Sequence, residues 1–274
     1  MMKTLTHLGT RIPALGLGTW QLSGSVCARV VRSALDLGYR HIDTAQAYGN
    51  EAEVGTAIAE SGIPRDQLFL TTKLWMDRLT GGEVERSTEE SLRRLRSDCV
   101  DLLLIHWPNP RVPLAETLGA MAALRKSGKV RRIGVSNFPV ALLRHAVEEV
   151  GAEIFCNQVE YHPLLSQAPV LDYLRPRGML LVAYSPLAHG QVLANAEVRR
   201  IAAKHGATPA QVALAWLLGQ DGVAAIPKAG STEHLRDNQA ALDLDLDPAD
   251  RAALDRLAGH TRTVAPSWSP NWDT

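Results

Sequence analysis

A chain of 274 residues exceeds the usual single-domain size but matches one α/β barrel, which takes about 250 residues. Hydrophobic residues make up 46% and charged residues 21%, the balance of a globular protein with a large core. A formal net charge of +0, with no long run of one sign, gives no electrostatic support for a nucleic-acid or anionic-membrane partner.

The N-terminal MMKTLTHLGTRIP lacks an apolar signal core, and no apolar run approaches the roughly 18 residues of a membrane span. Cys27, Cys99 and Cys156 are scattered and form no CxxC, which fits a reducing compartment without structural zinc. A cytoplasmic protein is expected. The stretch TLTHLGTRIPALGLG reads as a small hairpin that closes a barrel floor and then enters the first strand. Strands are predicted at ALGLG (14–18), RHID (40–43), LFLTTK (68–73), VDLLLIHW (100–107), VRRIGVS (130–136), IFCNQVE (154–160), MLLVAYS (179–185) and GVAAIP (222–227).

Helical patterns fill the gaps. AEVGTAIAES sets Val54, Ala57 and Ile58 on one face, with Asn50 and Glu53 spaced as a capping pair. VALLRHAVEEV repeats apolar residues at Val140, Leu143, Ala146, Val147 and Val150. TPAQVALAWLL opens with Thr208, Pro209 and Gln211 at N-cap, first-turn and capping-box positions, and DPADRAALDRLA opens similarly with Asp247 and Pro248. Strands joined by helix-length crossovers pair in parallel. Eight of them in this length predict one domain over residues 1–274, a (β/α)8 TIM barrel of α/β class. The rival open, doubly wound sheet carries GxGxxG after its first strand, and GLGTW (16–20) is not that motif.

Barrel chemistry gathers at the C-terminal ends of the strands. There the sequence places Asp43 with Tyr48 just beyond, Lys73, His106 with Trp107, Ser136 with Asn137, Asn157 to Glu160, Tyr184 with Ser185, and Lys228. Each has a plainer reading alone: a turn aspartate, a surface lysine, a packed tyrosine, a core histidine. Together they make coherent chemistry. A phenol with a reference pKa near 10 is a poor acid at neutral pH. A lysine beside it favours the phenolate, and an aspartate supplies the lysine's counter-charge. Asp43–Lys73–Tyr48 is thus expected to deliver a proton, with neutral His106 orienting the same substrate oxygen.

The motifs DTAQAYGNE (43–51), LFLTTKLW (68–75), VDLLLIHWP (100–108), IGVSNF (133–138), NQVEYHP (157–163), AYSPLA (183–188) and IPKAGSTEHLRDN (226–238) resemble, in order, those of the aldo-keto reductase superfamily. The resemblance runs from about Leu15 to Asn238. The compact length and the tail APSWSPNWD resemble the bacterial 2,5-diketo-gluconate reductase subgroup. The resemblance implies Asp43, Tyr48, Lys73 and His106 as a catalytic tetrad. It implies NADP(H) lying across the barrel mouth, and leaves room for NAD(H) as well. Ser136, Asn137 and Gln158 would bond the carboxamide, Tyr184 would stack on the nicotinamide, and the loop Ser185, Pro186, Leu187 would hold the pyrophosphate. Gly18, Thr19, Trp20 and Asp43 join that set, as do Ile226, Pro227, Asp237 and Asn238. Lys228, Ser231 and His234 would meet the 2′-phosphate. The family pattern has serine and arginine where this chain has Ala229 and His234. Histidine lacks the planar fork and full charge of arginine, so a weaker preference for NADPH over NADH is expected.

Trp20, Trp75 and Trp107 follow strand ends and predict an aromatic substrate wall beside Tyr48 and His106. Trp268 and Trp272 in the tail are placed to fold over the rim. The expected activity is reduction of a small carbonyl compound (a 2-oxoaldehyde, a keto-sugar acid or an aromatic aldehyde) by a monomer without a metal. The enzymatic rival is a barrel hydrolase with Asp43 and Glu160 as paired carboxylates. The non-enzymatic rival is a cofactor-binding regulatory subunit of the channel-associated kind.

Overall fold

The structure, a computed structural model, describes residues 3–273; residues 1, 2 and 274 of the predicted domain lie outside the described residues. An antiparallel hairpin, β1 (Thr4–His7) and β2 (Thr10–Pro13), precedes eight parallel strands. These are β3 (Leu17–Gly18), β4 (His41–Asp43), β5 (Phe69–Leu74), β6 (Val100–Ile105), β7 (Val130–Ser136), β8 (Cys156–Glu160), β9 (Leu180–Tyr184) and β10 (Val223–Ala225). The strands pair in chain order from β3 to β10. Parallel bridges Leu15–Ala225 and Gly18–Lys228 then join the two ends, so the sheet closes into the predicted barrel. At this seam Gly18 N–H reaches Pro227 O at 3.2 Å. A Cβ on Gly18 would stand 2.6 Å from Ile226 O, so only glycine permits the approach.

Around the barrel run α1 (Gly24–Asp36), α2 (Glu51–Ala59), α3 (Gly81–Leu95), α4 (Leu114–Lys126), α5 (Val140–Arg144, continued as a wider turn over His145–Glu149), α6 (Ala168–Leu174), α7 (Gln191–Ala194), α8 (Ala196–His205), α9 (Pro209–Leu218), α10 (Thr232–Ala240) and α11 (Pro248–Asp255). Among the described residues, no helix is long and apolar enough to cross a membrane. Two apolar clusters form. One lies between strands and helices; the smaller fills the barrel with Ile12, Phe69, Leu102, Leu104, Phe155, Cys156, Leu180, Val182, Ala224 and Ile226. The hairpin seals the floor through Ile12, and Arg132 Nε holds it by donating to Thr10 Oγ1 at 2.7 Å.

The capping box at Thr208 and Gln211 forms as expected, and Asp247 caps α11 by accepting from Asp250 N–H at 2.9 Å. Asn50 and Glu53 do not form a capping pair. The buried Asn50 amide donates instead to Thr19 O (2.9 Å) and Leu22 O (2.8 Å) and accepts from Thr44 Oγ1 (2.6 Å). Those carbonyls belong to the buried residues Thr19 and Leu22, where an unpaired acceptor is costly; a helix N–H near the surface can turn to water. β7 spans its predicted 130–136 and β5 keeps its length, shifted by one residue, while the other strands come out shorter than their apolar runs, most clearly β3, which keeps Leu17–Gly18 of 14–18 with Leu15 in an isolated bridge to Ala225.

Helices α2 and α3 meet at Gly55, where an added Cβ would lie 2.5 Å from Arg94 O and from the Leu95 carbonyl carbon. Backbone cannot swing aside as a side chain does. Gly55→Ala is therefore expected to lose about 1–3 kcal/mol of stability despite alanine's better helix propensity. Urea unfolding at fixed m-value measures it, and an unchanged midpoint would show that the helices separate freely.

Candidate active site

The candidate residues sit where alternation along a strand carries them. Side chains two apart face the same way. The inward columns run His41–Asp43 on β4, Phe69–Thr71–Lys73 on β5, Leu102–Leu104 on β6 followed by His106, Cys156–Gln158–Glu160 on β8, and Leu180–Val182–Tyr184 on β9. Most of the lower members, Phe69, Leu102, Leu104, Cys156, Leu180 and Val182, are the apolar filling of the barrel; His41 and Thr71 are buried polar exceptions. The topmost members are polar, and the same pleat that packs the core aims them into the mouth.

Lys73 is fully buried. Its Nζ donates to Asp43 Oδ1 at 2.5 Å, to Thr44 O at 3.0 Å and to Tyr48 OH at 3.2 Å. An ammonium has three protons, and all three are used. The Tyr48 oxygen is therefore an acceptor toward Lys73, and its own hydrogen is free to point into the cleft. The second Asp43 oxygen accepts from Gln158 Nε2 at 2.7 Å. Burial opposes the charge on Lys73, but Asp43 and Tyr48 outweigh it and hold its pKa above the ordinary lysine value. For Tyr48, burial is the larger influence and raises the pKa; the pull of Lys73 offsets only part of it. The expected lowering by lysine is thus present but does not prevail, because the phenolate would lose more hydration than one paired cation restores. The phenol stays protonated at neutral pH, as a proton donor must.

His106 stands across the cleft, its ring edge-on to Tyr48 at 5.5 Å and to Trp75 at 5.2 Å. Burial first, and then Lys73, hold its pKa well below the usual histidine value, so the imidazole is neutral. Its buried Nδ1 has no partner among the described residues.

Next to this group, Tyr184 OH donates to Asn137 Oδ1 at 2.8 Å, and Asn137 Nδ2 donates to His106 O at 2.9 Å. Asn137 has φ 63°, a left-handed conformation that asparagine tolerates better than most residues. Ser136 Oγ donates to Gln158 O at 2.8 Å. Thr19 Oγ1 donates to Asp43 O at 3.0 Å. The turn after β9 puts Ser185, Ala188 and His189 at positive φ.

One cleft of about 1320 Å³ gathers these groups. Its walls include Gly18, Thr19, Trp20, Asp43, Tyr48, Trp75, His106, Trp107, Ser136, Asn137, Gln158, Tyr184, Ser185, Pro186, Leu187, Ile226, Pro227 and Lys228. A pocket for one small ligand takes roughly 300–1,000 Å³, so the cleft has room for a cofactor and a substrate together. The donor set fits an extended anionic nucleotide with an amide at one end. Amide and hydroxyl groups converge near Tyr184, the left-handed turn follows it directly from Ser185, and the exposed Lys228 adds a cation to the same wall.

Five predicted positions lie off the cleft wall: Lys73, buried behind Asp43 and Tyr48, and Ser231, His234, Asp237 and Asn238. Ser231 caps α10 by accepting from His234 N–H at 3.2 Å, and the His234 side chain is exposed at that helix start. Asp237 faces α9, where Thr208 Oγ1 (3.1 Å) and Gln211 Nε2 (2.7 Å) donate to it. Asn238 is buried within α10. Glu160 does not face Asp43 as the hydrolase rival requires. Its carboxylate accepts from Thr263 N–H at 2.8 Å and Val264 N–H at 3.0 Å. Thr263 to Pro266, Gln46 and His189 also line the cleft and were not anticipated. Trp268 does fold over the rim, edge-on to Trp75 at 6.4 Å, and Trp272 packs on Trp107 at 6.0 Å.

The Aldo/keto reductase family model matches residues 14–258. Methylglyoxal reductase DkgB of Escherichia coli O157:H7 is 46% identical over 266 residues, spanning 96% of this chain and 99% of that protein. An aldo-keto reductase of Mycolicibacterium smegmatis is 42% identical over 91% of this chain and 90% of its own length. Among solved structures, a protein provisionally described as 2,5-diketo-D-gluconic acid reductase B superposes with TM-score 0.97 at 47% identity, covering 100% of this chain and 98% of that one. The thermostable aldo-keto reductase Tm1743, solved with the inhibitor epalrestat, gives 0.88 at 41% identity over 94% of this chain and 100% of its own. Closed barrel, polar mouth and full-length similarity agree: the chain belongs to the aldo/keto reductase family of oxidoreductases.

Proposed function

We propose that the protein is an NADP(H)-dependent reductase of aldehydes and ketones, with Tyr48 as the general acid. The observation that carries this reading is the use of all three Lys73 protons, which leaves the Tyr48 hydrogen free for an acceptor in the cleft. The bound reduced nicotinamide supplies the hydride. Ser136, Asn137 and Gln158 would hold its carboxamide, Tyr184 its ring face, and Ser185 to Leu187 its pyrophosphate. A carbonyl oxygen at the mouth accepts hydrogen bonds from Tyr48 and from neutral His106. As negative charge develops there, Tyr48 releases its proton, and Lys73 stabilises the phenolate left behind. Asp43 keeps the lysine charged.

The names of the relatives support small 2-oxoaldehydes and keto-sugar acids as substrates, and the tryptophan walls support aromatic aldehydes. Three free cysteines support a reducing, cytoplasmic setting. The reading takes the chain as a monomer. The test follows loss of reduced-nicotinamide absorbance with NADPH and NADH in parallel, against methylglyoxal, aromatic aldehydes and keto acids. Turnover of none of them, with the cofactor bound, would favour the regulatory-subunit alternative.

Cofactor choice has its own prediction. His234 is exposed at the start of α10, in the segment that follows the exposed Lys228. His234→Arg adds a full charge and a bidentate fork there, and is expected to raise the NADPH-to-NADH ratio of kcat/KM about tenfold. An unchanged ratio would mean that this side chain does not meet the 2′-phosphate.

A further inference from the structure

Glu160 ends β8 fully buried and takes no part in the proton relay. A buried carboxylate is costly unless donors surround it. Here most of the donors come from the C-terminal tail. Oε1 accepts from Thr263 N–H at 2.8 Å and from the Thr263 hydroxyl, and Oε2 accepts from Val264 N–H at 3.0 Å. His162 Nε2 adds a contact to Oε1 at 3.1 Å. Burial favours the neutral acid, but these donors outweigh it and keep the pKa below the ordinary value, so the group is ionised. Hydrogen bonds to a charged acceptor are the strong ones.

The tail is led to this point. Ser166 N–H donates to Gly259 O at 2.9 Å, and Thr261 N–H donates to Leu164 O at 3.2 Å. Beyond the clasp, Thr263, Val264, Ala265, Pro266 and Trp268 line the cleft. At the far end, Asp273 Oδ2 accepts from Val140 N–H, the first residue of α5, at 2.7 Å. Between the two anchors the tail meets the barrel through aromatic edges, Trp268 on Trp75 and Trp272 on Trp107. Such edges are soft in direction; the hydrogen-bonded clasp is not.

We infer that Glu160 is a positioning residue for substrate selection: its clasp on Thr263 and Val264 sets where Trp268 stands against Trp75 and so builds the outer wall of the substrate half. The inference rests on the carbonyl-reductase reading above. A short 2-oxoaldehyde reaches Tyr48 and His106 without that wall. An aromatic aldehyde extends along it.

The test uses the full-length enzyme with NADPH, methylglyoxal as the short substrate and 4-nitrobenzaldehyde as the aromatic one. Glu160→Gln keeps the shape but loses the charge that gathers the tail N–H groups. It is expected to raise KM for 4-nitrobenzaldehyde and to lower its kcat/KM relative to methylglyoxal by about tenfold, the scale of one aromatic contact, with NADPH affinity retained. Trp268→Ala is expected to lower the same ratio, and adding Glu160→Gln to it is expected to change little more, because the wall is already gone. Thr263→Val removes one donor to Glu160 and serves if Glu160→Gln does not fold; its effect has the same direction, is smaller, and is likewise lost in the Trp268→Ala background. An unchanged substrate ratio, or full additivity of the two substitutions, overturns the inference and leaves Glu160 a fold anchor. If the wild-type enzyme reduces neither aldehyde, the carbonyl-reductase reading fails and the inference falls with it.

Discussion

Tyr48→Phe is expected to lower kcat for aldehyde reduction by about 10²–10⁴-fold, the usual worth of a positioned general acid, while NADPH binding stays nearly unchanged. The substitution deletes one oxygen and keeps the ring. That ring packs edge-on to His106, so the cleft should hold its shape. What is lost is the phenol that accepts from Lys73 and still has a hydrogen to give. Lys73 would keep its bonds to Asp43 and Thr44. A fall in kcat with intact cofactor binding therefore reports on proton delivery. Lost cofactor binding would instead assign Tyr48 a structural role. Retained turnover would mean that the proton comes from elsewhere, with His106 the nearest candidate.

Asp43→Ala is expected to cost about 3–5 kcal/mol of stability, because it strands a buried ammonium. Lys73 and Asp43 are 0% and 1% exposed at the side chain and 2.5 Å apart. The other partners of Lys73 among the described residues are a carbonyl and a phenol, and neither replaces the lost charge. The pair itself is a different matter. Replacing both partners by apolar groups is often neutral, because the desolvation cost of the two charges disappears with their attraction. The double variant Asp43→Ala/Lys73→Met is therefore expected to recover most of the stability yet remain inactive. Denaturant midpoints and turnover, measured on the same preparations, separate the two effects. A single variant as stable as wild type would mean that Lys73 gives up its proton at little cost, and the ion pair would lose its place in the relay.

The eight strands and their order were legible in the chain because each is a short apolar, β-branched run bounded by turn residues or caps. Asp43, Lys73, His106 and Tyr184 were legible as strand-end residues because the pleat alternates with period two, which a sequence displays directly. The caps at Thr208 and Asp247 were legible for the same reason: donor and acceptor lie within four residues. Asn50 misled because its local spacing suits a cap, while its true partners, Thr19 and Leu22, lie about 30 residues earlier in the loop after β3.

Local pattern and motif order thus determined the barrel, the family and which residues the proposed proton relay draws on. Tertiary structure alone decided three things. It decided that burial outweighs Lys73 at the Tyr48 phenol, since desolvation depends on everything packed around a group. It decided that Asp237 turns to α9, since that contact bridges residues 26 apart. And it decided that Glu160 serves the tail, since Thr263 lies 103 residues away and no periodicity links the two. Short-range geometry repeats along a chain and can be read from it; the balance of charge, burial and distant partners exists only once the chain has closed on itself.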